Sequence, residues 1–244
     1  PMRAVNHTNI AMTTNASPYA LLKLMTWLSP SFPVGAYAYS HGLELAMENE
    51  LVTDPGSLST WLEGILLYGA GRTDGILFAE TWRAVTEGDR AHLNHVLEWA
   101  RALRPTKEMA LESNAQGAAF LDAVVSAWPS EALKAYMVIL AADGKPLPYS
   151  AAVGLVTALH EIPLGDGLGT FVHAFAANLV SAGVRLIPLG QTAGQQVLAG
   201  LTGLILDQTQ TVQSLTLEDI GSAAVIVDWT SAAHETQYTR LFRS

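Results

Sequence analysis

Apolar residues along this chain recur with a helical period. Leu58, Trp61, Leu62, Ile65 and Leu66 follow the i, i+3, i+4, i+7, i+8 spacing that gathers side chains on one face of a helix. Leu93, Val96, Leu97 and Ala100, and then Leu133, Tyr136, Met137 and Leu140, form similar stripes, and such faces are expected to be core. The strict alternation of a half-buried strand is weak throughout. The β-branched run Val225-Ile226-Val227 is flanked by Ala223, Ala224, Trp229 and Thr230, which suit a helix continuing through it. Capping chemistry marks the starts. Ser17-Pro18 and Asp54-Pro55 set a capping side chain before a first-turn proline, and Thr216-x-x-Asp219 has the form of a capping box. The pattern predicts an all-α, single-domain bundle of about ten helices with short connectors and no internal repeat.

One stretch breaks the period. Ser29-Pro30-Ser31-Phe32-Pro33-Val34-Gly35-Ala36-Tyr37-Ala38-Tyr39-Ser40-His41-Gly42-Leu43-Glu44 crowds aromatics into a segment where two prolines remove backbone donors and glycine opens unusual conformations. By loop chemistry alone it is either a helix connector or a recognition loop carrying interfacial tyrosines. Gly165-Asp166-Gly167-Leu168-Gly169 has G-x-G-x-G spacing without a preceding strand or a Gly-Lys-Ser/Thr ending, so it reads as a loop between helices, not a phosphate cradle. Arg185 stands alone in a long apolar region, either snorkelling at a helix end or serving a site.

Composition narrows the classes. Half of the 244 residues are hydrophobic and only 14% charged, low for a soluble chain, which implies either a large interior or a surface covered by other subunits. A net charge of -9 and no basic cluster argue against nucleic acid or an anionic membrane as partner. Without cysteine there is no disulfide, thiolate metal site or Cys nucleophile. Residues 1–17 are mostly polar, lack the apolar run of a signal peptide and are expected to be disordered. Leu186 to Leu206 is uncharged over a membrane-spanning length, but Pro188, Gly190, Gly194 and three glutamines favour a buried helix with a polar edge.

Candidate chemistry is sparse. The seven histidines include two i, i+3 pairs that could share a helix face, His41 with Glu44 and His92 with His95. Two ligands make an incomplete site, and for His92 and His95 solvated surface is the default. There is no H-E-x-x-H and no G-x-S-x-G, and no carboxylate pair is spaced for acid–base work. The alternative that these residues leave open is an all-α metal-dependent hydrolase using His41, Glu44, His92 and His95.

The string from Ser29 to Glu44 closely resembles the signature of the urease accessory protein UreF family. Val184-Arg185-Leu186-Ile187-Pro188-Leu189-Gly190-Gln191-Thr192 and His234-Glu235-Thr236-Gln237-Tyr238-Thr239-Arg240-Leu241-Phe242 are similar to two further segments of that family, in the same order. The likeness runs from about Tyr19 to the end. It implies a cytoplasmic, non-catalytic homodimer in the assembly of urease's nickel centre. Its expected partners are UreD (also called UreH), the GTPase UreG and apo-urease. Nickel would be handled by the complex and GTP bound by the partner, with no cofactor held tightly and no metal site of its own. The residues implied in partner binding are Phe32, Pro33, Tyr37, Tyr39, Glu44, Arg185, Gln191, Tyr238, Arg240 and Phe242. Relatives commonly carry glutamine at His41, which weakens a metal role there, and often lysine at Arg185, so positive charge is what the second segment keeps. The tail 234–244, rich in Tyr, Arg, Leu and Phe, is expected to be disordered alone and ordered on a partner.

Overall fold

A computed structural model describes residues 16–244, so the expectation for residues 1–15 lies outside the described residues. It contains twelve α-helices and two short 3₁₀ turns, Ala36–Ala38 and Leu217–Asp219, with no strand among the described residues. The helices are α1 (Pro18–Trp27), α2 (Leu43–Glu48), α3 (Pro55–Tyr68), α4 (Ala70–Glu87), α5 (Arg90–Ala102) and α6 (Lys107–Ala127). They continue as α7 (Glu131–Asp143), α8 (Tyr149–Leu159), α9 (Leu164–Leu186), α10 (Gln191–Gly200), α11 (Thr202–Val212) and α12 (Val225–His234).

The caps form as the sequence predicts. Ser17 accepts from the Ala20 amide, Asp54 and Ser57 make a reciprocal capping box, and Thr216 and Asp219 make another around the second 3₁₀ turn. The three apolar stripes face inward: Leu58, Leu62, Ile65 and Leu66 of α3 are sealed, as are Leu93, Val96 and Leu97 of α5 and Leu133 and Leu140 of α7.

The core is organised on α4 and α8, the most closely associated pair. α8 is buried from Ser150 to Thr157, and a side chain at Gly154 would lie 2.6 Å from the Phe78 carbonyl oxygen of α4, so these two backbones touch. The segment 165–169 corrects the sequence reading: it forms the first turns of α9, not a loop. Glycine costs about 1 kcal/mol in a helix interior, but a Cβ at Gly167 would stand 2.5 Å from Thr157 Cγ2, and the lost propensity is offset by close packing on α8.

The uncharged stretch from Leu186 is broken, as its proline and glycines imply, between α9, α10 and α11. The helix long and apolar enough to cross a membrane is instead α9, half of which is buried among its neighbours. The β-branched run opens α12, but the helix does not continue back through Ala223, whose amide donates to the Tyr68 carbonyl.

Candidate functional site

The irregular segment after α1 is pinned from within. Phe32 is buried against Phe120 and Trp128, and Tyr39 is only 4% exposed. The chain turns through left-handed conformations at Gly35 and Gly42, with φ of +73° and +77°. At Gly42 a Cβ would meet Thr230 Oγ1 at 2.7 Å and the Ser231 amide at 2.9 Å, so the start of α2 packs directly on α12. Tyr37, on the 3₁₀ turn, remains 71% exposed.

That turn delivers Glu44 into the protein, where it is 5% exposed. Its carboxylate accepts the backbone amides of Leu241 (2.6 Å) and Phe242 (2.9 Å) and faces His234 Nε2 at 3.0 Å. The other ring nitrogen of His234 faces Glu108 Oε2 at 2.7 Å, and the histidine is fully buried. The two carboxylates thus hold the ring from both sides. Arg240 adds a cation, its guanidinium on Glu108 at 2.5 Å.

The tail then runs beside the loop. The Arg243 amide donates to the Ala38 carbonyl at 2.8 Å, and the Ser40 amide and hydroxyl both donate to the Ser244 carbonyl, the amide at 2.7 Å. Phe242 is buried with the Arg185 guanidinium 4.4 Å from its ring, and that guanidinium lies 5.0 Å from the Tyr37 ring. Burial holds the Arg185 proton affinity below its ordinary value, partly opposed by Tyr37, and an arginine so shifted remains a cation.

Tyr37, Glu44, Arg185, Arg240 and Phe242 are thus brought into one cluster, drawn from three distant segments. The remaining candidates lie outside this cluster. Phe32 and Tyr39 are core side chains, while Ser31, Pro33, Gly35 and Tyr37 between them are exposed. Pro33 is exposed on the loop, Gln191 is exposed in the first turn of α10, and Tyr238 is fully exposed, none of them within the hydrogen-bond network of the cluster. The tail, expected to find order only on a partner, is seated on its own chain, since Glu44, Ala38 and Ser40 satisfy its backbone groups. His234 and Glu108, the centre of the arrangement, were missed as functional candidates. His234 lies in the third signature segment, yet nothing local marks it as facing two carboxylates.

The residues of the hydrolase alternative do not converge. His41 sits edge-on to Phe175 in a left-handed conformation outside α2, His92 faces Glu80, and His95 accepts from Trp99 Nε1. No group of three or more His, Asp or Glu among the described residues is placed to hold a metal ion.

The UreF family model matches residues 52–202. The chain is 47% identical over 238 residues to the urease accessory protein UreF of Rhodopseudomonas palustris strain BisB5, covering 95% of this chain and 97% of that one. It is 46% identical over 237 residues to the same-named protein of Magnetococcus marinus, covering 96% and 100%. The chain belongs to the UreF family. The matched region spans α3 to α10 and includes Arg185, and the whole-length relatives extend the likeness well beyond it. A third, from Xanthobacter autotrophicus, is 48% identical over 228 residues, 93% of each chain.

Proposed function

We propose that this protein is a urease accessory protein that serves urease maturation by assembly and not by catalysis. In this reading it forms a cytoplasmic homodimer that binds UreD/UreH on one surface and the GTPase UreG on another. The complex docks on apo-urease and couples GTP hydrolysis, carried out by the partner, to nickel delivery. Membership of the UreF family, at 46–48% identity to proteins named urease accessory protein UreF, is the observation that carries it.

The geometry supports a docking role. Tyr37 is an exposed aromatic beside a fixed cation, the kind of pair that anchors protein interfaces, and it is held by a loop whose own base is locked into the core. Tail and loop share hydrogen bonds, so a partner that grips one acts on the other. No observation favours the hydrolase.

The test is a pull-down of the purified chain with UreD and UreG, separately and together. Capture of UreG that depends on UreD, together with urease activation in a reconstituted assay, is expected. Failure to capture either partner overturns the reading.

A further inference from the structure

Behind the loop lies a cavity of about 300 Å³, the liquid volume of about ten waters and the lower end of small-molecule pockets. Phe32, Tyr149, Phe171 and Phe175 contribute aromatic walls, whose ring faces attract cations. The polar end holds Asp74, Arg104 and Glu112. Arg104 forks onto Asp74 at 2.7 and 3.1 Å, with the Ser150 hydroxyl at 2.9 Å, so that pair is neutral in itself.

Among the described residues Glu112 has no ion-pair partner. There its oxygens accept from Gln116 Nε2 at 3.0 Å and Ser244 Oγ at 2.9 Å. Burial pushes its carboxyl up to about 7, against the hydrogen bonds and the Arg104 charge. His41, also on the wall, is 7% exposed and makes no hydrogen bond with its ring nitrogens among the described residues. Burial lowers its proton affinity to about 4, so it stands as a neutral donor and acceptor. His173 is the remaining titratable side chain near the mouth besides Tyr37.

An aromatic box with a carboxyl that has no ion-pair partner and an imidazole that makes no hydrogen bond among the described residues is short of one positive charge and one hydrogen-bond donor. A metal ion suits it poorly, since no cluster of three ligands exists among the described residues. We propose that the cavity binds a small organic monocation, an arylalkyl amine of about ten non-hydrogen atoms. Its ammonium would lie against Glu112 and His41, and its ring among Phe32, Tyr149, Phe171 and Phe175. This does not rest on the proposed assembly role.

The test is calorimetric titration of the full chain with 2-phenylethylamine and with 2-phenylethanol, a neutral analogue of nearly the same shape. The amine is expected to saturate one site at least about tenfold more tightly than the alcohol. Its affinity should rise between about pH 6 and pH 8 as Glu112 ionises, with the alcohol unchanged. At about pH 6 binding should release a proton, seen as a dependence of the measured heat on the buffer. Glu112→Gln should reduce the amine to the level of the alcohol and abolish that proton release. The absence of saturable amine binding, equal binding of both compounds, or undiminished amine binding by Glu112→Gln overturns the proposal. If that variant does not fold, the pH dependence of the unaltered chain decides, and an amine affinity flat across that range overturns it.

Discussion

Glu80 and Glu44 are both nearly buried, at 4% and 5% exposure, and each faces a histidine nitrogen at 3.0 Å. Around Glu80 the partners are near at hand: Arg83 one turn further along α4, and His92 at the start of α5. Arg83 reaches on to the carbonyls of Gln213 (2.6 Å) and Leu215 (2.9 Å), so the cluster ties down the end of α11. Its histidine side chain is 34% exposed and open to water. Around Glu44 the partners come from the far end of the chain. His234 is sealed, and two of the three groups that Glu44 satisfies are amides of a segment with no helix of its own. One chemistry thus braces helices that pack together anyway, and in the other place holds a tail that little else would hold. The difference is in what each glutamate leaves behind when it is removed.

Truncating each glutamate in turn separates the two roles. Glu44→Ala strips two backbone amides of their acceptor and leaves His234 with Glu108 alone, so it should cost about 3–5 kcal/mol, the range for breaking a buried ion pair. Hydrogen exchange at Leu241 and Phe242 should speed up together with the loss. Glu80→Ala should cost less, about 1–3 kcal/mol, because Arg83 keeps two carbonyl partners, and the tail amides should exchange as before. Urea unfolding and site-resolved exchange measure both. If Glu80→Ala frees the tail, or Glu44→Ala leaves it protected, the division between brace and latch is wrong.

The same contrast separates what could be read in the sequence from what could not. Helix stripes and the caps at Ser17, Asp54 and Thr216 depend on residues three to eight apart, and they were legible. The glycines of 165–169 were read as loop because their compensation, contact with Gln213 for Gly165, with Thr157 and Phe78 for Gly167 and with Thr209 for Gly169, is tertiary. Glu44 and His234 lie 190 residues apart, and no spacing announces such a pair. The three signature segments did carry their message in one respect. Tyr37 from the first, Arg185 from the second and Phe242 from the third meet in one stack, which the likeness grouped by function and the fold groups in space.

A smaller effect concerns pH and a third glutamate. Glu112 has its carboxyl raised from 4.5 to about 7, chiefly by burial. Between those values the folded chain holds a proton there that the unfolded chain has released, so stability falls as pH rises through this window and levels off above it. The decline attributable to Glu112 is bounded by about 3 kcal/mol. Urea midpoints at about pH 5 and pH 8 should converge in Glu112→Gln relative to the unaltered chain, whereas Glu80→Ala should keep the full difference. Equal pH dependence in Glu112→Gln and the unaltered chain would remove Glu112 from the account.

The smallest change in stability belongs to the exposed face of the loop. Tyr37 touches the Arg185 guanidinium at 5.0 Å but is 71% exposed, and an exposed cation–π contact contributes only about 0.5–1 kcal/mol. Arg185 retains the Phe242 ring at 4.4 Å when Tyr37 is cut away, so the stack loses its outer layer and keeps its inner one. Tyr37→Ala should therefore unfold within about 1 kcal/mol of the unaltered chain and leave Phe242 protected from exchange. If Tyr37 is an interfacial anchor, the same substitution should weaken capture of the GTPase by about 2 kcal/mol, about thirtyfold in affinity. Tyr39→Ala supplies the internal control. Its side chain is 4% exposed, so it should lower stability by several kcal/mol before any effect on binding is read. A Tyr37→Ala variant that binds the GTPase as tightly as the unaltered chain would show that the exposed ring is not the anchor, and one that unfolds as easily as Tyr39→Ala would show that its place is in the fold.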